Sequence, residues 1–510
     1  MASLRDLLLA VIKSLFRGRS FLQALLAFWT TSTESSPTLR EPPSKDGSTS
    51  ISDFLAKAES LLLDSTQPDK RRALSQKLKL EFREGLLSNP ACMLPSYHTE
   101  LPTGDESGQY LAVDVGGSTL RVALVNLKGR GSSGGPESVI VSIDTFNIDN
   151  DIRALKGRAF FDWMAEKIYQ TVAKDSRQGH CADDPLLLGL SWSFPIEQPA
   201  PQTYLLRPMG KSFHAADGLL NQNLSSILQT SCLHHNLHVS LSAIVNDSSA
   251  TLLSAAYSHP STTTFGLILG TGVNIAAYLP VSTISPSKLP PRPQTLATHV
   301  VVNTELGMFG GPSLPSTKWD KALKASHPRP DFQPLEHLVS GFYLGEVARL
   351  ILVDAIHETG AFGGVVPDSL AREYTLDAKT LSLLESDPLH FQTLHPSPYP
   401  PSQTDLSLLT SIASLITQRS ASILAASLHA LHEINLEASS PQKQPQKTIT
   451  IAYTGSVIEH YPHYLSHLQS YLDQLTLNTP TTFKLVPAKQ SSVLGAAVAL
   501  ACLDKQSTRS

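Results

Sequence analysis

Two stretches of this chain share one plan, and that plan limits the fold more than any other feature. YLAVDVGGSTLRVALVNL alternates apolar residues, turns on Gly116 and Gly117, and alternates again; TFGLILGTGVNIAAYL does the same around Gly270 and Gly272. Alternation at period two on both sides of a glycine turn predicts a β-hairpin, so two related halves are expected. A glycine tip lacks a Cβ, which lets backbone N–H groups come within hydrogen-bonding reach of phosphate oxygens. Such hairpins also occur purely as turns, so neither one alone carries a function.

Polar residues at strand ends add chemistry to this frame. Asp114 stands inside an otherwise apolar strand, two residues before the first glycines. A buried carboxylate needs a partner, and a Mg²⁺ ion riding on a nucleotide would offset its cost, although local backbone N–H groups would serve too. In AIVNDSSATLLSAA an apolar run ends in Asn246 and Asp247 and passes into a helical pattern. That order places Asp247 where ligands gather in α/β sheets and where a base is useful; an aspartate there can equally be an N-cap. LGLSWSFPIEQPAPQTYLLRPMGKSF offers Ser193 and Lys211 as hydroxyl contacts, and HVVVNTELGMFG offers Asn303 and Glu305. Carboxylates and amides of this kind bind sugars, since one carboxylate accepts from two adjacent hydroxyls.

Composition removes several function classes. The 510 residues carry 40 basic and 44 acidic side chains, a formal net charge of -4, which gives no electrostatic footprint for nucleic acid. Four scattered cysteines suggest neither a disulfide framework nor a zinc site, and a reducing compartment fits. His460, His463 and His467 lie at helical spacing without an acidic companion, so surface histidines explain them better than a hydrolytic metal site, and no protein-held metal is expected.

The first residues, MASLRDLLLAVIKSLFRGRSFLQALLAFWTTS, mix apolar and basic side chains, yet the longest uncharged run, 20–33, is too short to span a bilayer. Residues 1–32 are therefore expected to target or attach the chain to a membrane, or else to form an amphipathic helix docking on the protein itself. Residues 33–50 read as a polar tether. The folded body is expected from Ile51, with two helices in ISDFLAKAESLLL and RRALSQKLKLEFREGLL and a surface excursion at the Pro-rich 395–403 segment.

Taken in order, these segments resemble the eukaryotic hexokinase and glucokinase family from about Leu74 to Leu503. CMLPSYHTELPTGDESGQYLAVDVGGSTLRV is similar to that family's lead-in and first phosphate loop, SFPIEQ to its sugar signature, AIVNDSSATLLS to its catalytic-aspartate segment and LILGTGVN to its second phosphate loop. VNTELGMFG, LEHLVSGFYLGEVARL, IAYTGSV and SSVLGAAVALACL continue the correspondence. The resemblance implies an α/β, two-lobed actin-like ATPase of the ribonuclease H-like kind, with a cleft between small and large domains. Its implied limits are 51–109 for helices packing on the large domain, 110–245 with 492–503 for the small domain, and 246–491 for the large one.

The implied activity is transfer of the γ-phosphoryl group of Mg-ATP to the 6-hydroxyl of a hexose, with Asp247 taking the proton and Lys211 assisting. Ser193, Lys211, Asn246, Asn274, Glu305 and Glu336 would hold the sugar. Asp114, Gly116, Gly117, Ser118 and Arg121 would line one side of the phosphates and Gly270, Thr271 and Gly272 the other, with Ser382, Gly455, Ser456 and Gly495 nearer the nucleoside. The implied cofactor is Mg²⁺ with ATP, and the chain is expected to act as a cytoplasmic monomer, with attachment to the mitochondrial outer membrane left open.

Departures from the family pattern bear on substrate and rate. Met209, Gly210, Lys211 and Ser212 stand where Trp, Thr, Lys and Gly are usual, and Gly210 leaves room for a larger C2 substituent such as that of N-acetylglucosamine. Thr119, Leu306, Thr454 and Ala378 replace a usual Asn, Trp, Asp and Thr, which keeps open a catalytically weak sugar sensor or regulatory protein.

Overall fold

The computed structural model describes residues 49–130, 137–174, 181–210, 212–289, 297–396, 399–438 and 448–509. Residues 1–32, nearly all of the 33–50 tether, and Lys211 lie outside them.

Both glycine segments form the expected hairpins. β2 (Ser107–Val115) pairs antiparallel with β3 (Thr119–Lys128), bringing Asp114 opposite Arg121, and β9 (Thr263–Leu269) pairs antiparallel with β10 (Val273–Pro280). Each hairpin gains a third antiparallel strand, β4 (Ser138–Asn147) or β11 (His299–Asn303), and two parallel strands on the other side. The parallel pair is β5 (Leu186–Trp192) and β8 (Val239–Val245) in one sheet, β12 (Thr448–Thr454) and β13 (Thr482–Pro487) in the other. The orders β4-β3-β2-β5-β8 and β11-β10-β9-β12-β13 are the same plan executed twice, with the short β1 (Leu94–Pro95) added beside β11. A separate hairpin, β6 (Ile196–Ala200) and β7 (Thr203–Leu206), follows the first sheet's β5.

The first two helices, α1 (Ile51–Leu63) and α2 (Pro68–Leu87), match the expected segments. Ser50 caps α1 by accepting from the Asp53 N–H at 3.1 Å, and Pro68 opens α2 where a missing N–H costs nothing. Leu74, Leu78, Phe82 and Leu86 of α2 are buried at helical spacing, each fully buried apolar side chain contributing about 2 kcal/mol. They pack in one core with the long helix Gln403–Ala438, to which Arg71 also reaches, its Nε 3.0 Å from the Ser422 hydroxyl.

After the last strand of each sheet comes a helix that runs between the lobes. β8 leads into a helix over Asp247–Ser258, and β13 leads into one over Ser491–Arg509. Ala250, Leu252, Leu253, Val493, Ala496, Ala497 and Leu500 join Ala112 and Val125 of the first sheet and Ala276 and Val301 of the second in one buried layer. At Gly495 the two helices come so close that an added Cβ would run into the Ala250 carbonyl. The helix bearing Asp247 is thereby fixed against both sheets.

Candidate active site

Strand ends and turns from both sheets supply the polar residues singled out by sequence. At the end of β8, Asn246 caps the following helix: its Oδ1 accepts from the Ser248 N–H at 2.9 Å and the Ser248 hydroxyl at 2.8 Å. The capping role thus belongs to Asn246 and not to Asp247, which is the first helical residue, half-buried, with Oδ1 accepting from the Ser248 N–H at 2.8 Å.

A chain of amides runs away from that cap. Asn274 on β10 donates through Nδ2 to Asn246 Oδ1 at 3.3 Å and to Asn303 Oδ1 at 2.8 Å, and Asn303 at the end of β11 donates to Glu305 Oε1 at 2.8 Å. Asn274 Oδ1 in turn accepts from the Leu306 N–H at 3.2 Å. Each amide orientation is set by its neighbours, so Glu305 and Asn246 are held at fixed distance with half-buried polar edges. Glu305 has φ 51, a left-handed conformation costing a non-glycine residue about 1–2 kcal/mol, which the Asn303 bonds help to sustain. Glu336 reaches the same region from the helix Pro334–Val339, its Oε1 accepting from the Val273 N–H at 3.0 Å. A Cβ at 272 would sit 2.7 Å from that oxygen, so any side chain there would displace the Glu336 carboxylate.

The first glycine turn belongs to the sheet whose last strand ends at Asn246 and Asp247. Asp114 is buried, and burial pushes its carboxyl up from 3.8 to about 6; hydrogen bonding from Ser191 and the Arg121 charge pull it down, while the negative charge of Asp247 pushes it up again. Arg121 Nη1 lies 3.3 Å from Asp114 Oδ2. Asp114 on β2 and Asp247 at the first helical position after β8 are thus near enough for their charges to interact. The turn's carbonyls are spent on the protein: Gly117 O accepts from Arg153 Nη2 at 3.0 Å and Ser118 O from the Ile148 N–H at 2.8 Å, while the Gly116 N–H donates to Thr119 O at 3.0 Å. Ser193 ties the end of β5 to the same turn, its N–H donating to Val115 O at 3.2 Å.

The second glycine turn is arranged alike. Gly270 O accepts from the Gly341 N–H at 2.8 Å and Thr271 O from the Phe342 N–H at 3.1 Å, so the turn caps the helix Gly341–Thr359. Carbonyl oxygens turned into the protein are what an anion-binding turn requires, since an oxygen aimed at phosphate would repel it. Gly270 also adjoins Gly455 and Ser456; a Cβ at 270 would lie 3.3 Å from the Ser456 nitrogen. Gly455, at φ 126, donates its N–H to Glu459 Oε1 at 2.9 Å, and Thr454 donates its hydroxyl to the same oxygen at 2.7 Å. Ser382 joins this side by donating to His460 O at 3.4 Å. Gly495 is set in the interlobe helix contact described above, where its lack of a side chain serves packing. The histidine trio does not share one helix: His460 ends a short helix over Ser456–His460, His463 sits in the link at φ 59, and only His467 lies within Tyr464–Thr476.

Sequence reasoning missed Arg153, Ser191 and Thr304. Arg153 lies more than thirty residues from the turn it braces, Ser191 meets Asp114 through the parallel register of β2 and β5, and Thr304 donates to Ile275 O at 2.7 Å beneath the amide chain. None is recognisable until strands are paired.

Duplicated sheets of this topology, each with a glycine turn and joined by helices packed between them, define a two-lobed α/β protein of the actin-like ATPase class. Two models described as hexokinase match consecutive parts of the chain, residues 61–257 and 264–502. Hexokinase-2 of Candida albicans is 30% identical over 86% of this chain and 90% of its own length, and a hexokinase of Schistosoma mansoni is 30% identical over 81% and 88%. The structure of the Schistosoma mansoni hexokinase complexed with glucose superposes with a TM-score of 0.73 at 26% identity, covering 89% of this chain and all of that one. The chain belongs to the hexokinase family, and its enzymatic class is that of a hexose phosphotransferase.

Proposed function

We propose that this chain transfers the γ-phosphoryl group of ATP to the 6-hydroxyl of a hexose, with Asp247 accepting the hydroxyl proton. The observation that carries the reading is the braced amide chain Asn246–Asn274–Asn303–Glu305, which begins one residue before Asp247 and ends in a second carboxylate. Fixed amides and carboxylates are the groups that read a pattern of sugar hydroxyls, and here they stand beside a base and between two turns suited to polyphosphate. Glu336, Ser193 and Lys211 complete the sugar side in this reading. Phosphoryl transfer asks for positioning and charge neutralisation more than for covalent chemistry, which this rigid array is built to give.

Magnesium suits the donor set, because Asp114 is a hard oxygen donor whose buried negative charge gains from a cation nearby. When bound with ATP the ion would neutralise charge on the transferring oxygens. The work of the chain itself is to hold the sugar, exclude water on closure and take the proton at Asp247.

A C2-substituted sugar such as N-acetylglucosamine is a favoured substrate alongside glucose. Gly210 is exposed and a Cβ placed there would meet nothing within 4 Å, which in this reading leaves room beside the C2 substituent. The test is a coupled assay of ADP release with glucose, mannose, fructose and N-acetylglucosamine. Sugar-dependent ADP formation is expected, and Asp247→Ala is expected to reduce it by about 10² to 10⁴ while the protein stays folded. Folded parent protein that forms no sugar-dependent ADP would replace the kinase reading with a sugar sensor; full activity in Asp247→Ala would remove the assigned base.

A further inference from the structure

Glu305 and the loop that follows it are held by the part of the chain that precedes both hairpins. After Glu305 the backbone makes one short 3₁₀ turn, Leu306–Met308, and passes through Phe309 to Gly310, which has φ 89. Gly310 is buried, and a buried N–H must find an acceptor. Glu81 of α2 supplies it, its Oε2 accepting from the Gly310 N–H at 2.7 Å. A bond to an ionised carboxylate is shorter and stronger than a neutral one.

The neighbouring Phe309 is gripped by the same helix. Its ring meets Phe82 edge-on, with centroids 4.8 Å apart and planes at 83°, and lies so close to Gly85 that an added Cβ would come within 2.9 Å of it. The start of the loop is tied to the segment after α2: the Met93 N–H donates to Thr304 O at 3.0 Å, and β1 sets Leu94 opposite Asn303. Residues 81–94 therefore fasten segment 303–310 at both ends, with the left-handed Glu305 between them. The end of α2 is itself anchored. The Lys288 ammonium donates to the Gly85 carbonyl, to Asn89 O at 2.7 Å and to Cys92 O at 2.8 Å, and a helix C-terminus is a favourable place for a cation. Lys79 pairs with Glu437 of the long helix at 2.9 Å.

We propose that Glu81 is a positioning residue for the hexose: through the Gly310 N–H it sets where the Glu305 carboxylate stands, and so how tightly the sugar hydroxyls are held. The inference rests on the reading of Glu305 as a sugar contact. The Asn303 bond orients the Glu305 side chain, and the Glu81 bond fixes the backbone beyond it. A shift of about 1 Å in a positioned group, caused by a change far from the chemistry, is enough to cost up to about 10²-fold.

The experiment measures steady-state kinetics of the full chain with glucose and ATP. Glu81→Met removes the acceptor and keeps the bulk of the side chain; the glucose KM is expected to rise about tenfold while the ATP KM stays within about twofold. Glu81→Gln keeps an acceptor oxygen for the Gly310 N–H and should stay within about threefold of the parent. Added to Glu305→Ala, Glu81→Met should raise the glucose KM by less than about twofold, because a positioning residue then has nothing left to position. An unchanged glucose KM in Glu81→Met, an equal rise in both KM values, or a full further loss on top of Glu305→Ala would each overturn the proposal and leave the kinase reading standing. If Glu81→Met does not unfold cooperatively in urea, Phe82→Leu, which loosens the grip on Phe309, is read by the same criteria. Should the parent form no glucose-dependent ADP, the kinase reading fails on that ground, and equilibrium glucose binding decides the role of Glu81. Affinity lost in Glu81→Met but not lost further in the double variant supports it; unchanged affinity or additive losses overturn it.

Discussion

Replacing Asp114 by asparagine is expected to make the protein more stable relative to the parent as pH rises, while removing activity. The carboxyl is buried, and its proton is held up to about 6 where an unburied aspartate titrates near 3.8. Between those values the folded chain holds a proton that the unfolded chain has released, so folding stability falls as pH rises through the window. At about 1.4 kcal/mol for each tenfold step in affinity for the proton, the ionised parent at pH 8 carries a penalty of about 3 kcal/mol. About half of that enters between pH 5 and pH 8, and asparagine, which does not titrate, escapes it. Changes in packing and neutral hydrogen bonding at the site add a constant offset, which cancels when the two proteins are compared at several pH values. Urea unfolding of parent and Asp114→Asn without nucleotide at pH 5, 6.5 and 8 measures the difference. Parallel stability curves across that range would refute the claim that this carboxylate is held in the site against its own burial.

The buried pair of Asp320 and Arg419, with oxygens 2.7 and 3.0 Å from the guanidinium, is a second target. Arg419→Met leaves an unpaired buried carboxylate and is expected to cost about 3–5 kcal/mol in urea unfolding, and a change below 1 kcal/mol would contradict it. For the N-terminal segment, deletion of residues 1–50 is expected to leave hexose kinase activity in solution and to abolish sedimentation with mitochondrial membranes. Equal sedimentation of full-length and truncated chains would dispose of an anchoring role.

Much of this architecture is legible in the amino-acid sequence. Glycine-tipped alternation announces both hairpins, because strand periodicity and turn chemistry are local properties of a few neighbouring residues. The strand, polar tip and helix around Asp247 are legible for the same reason, and so is the apolar run of α1. Sequence leaves two roles open at Asp247, cap or base; the geometry gives the cap to Asn246.

Long-range register decided the rest. Asp114 acquires its raised proton affinity because the folded sheet buries it and Asp247 adds negative charge nearby, against the opposing pull of Ser191, set beside it by the parallel register of β2 and β5, and of Arg121 across the hairpin. The amide chain joins residues 246, 274, 303 and 305, which meet only when β8, β10 and β11 are assembled. Local sequence determined which segments could be strands, turns and helix starts, because backbone sterics act between near neighbours. Only the tertiary structure decided which carboxylate is buried and which amide is oriented, because desolvation and hydrogen-bond geometry depend on what the rest of the chain brings alongside.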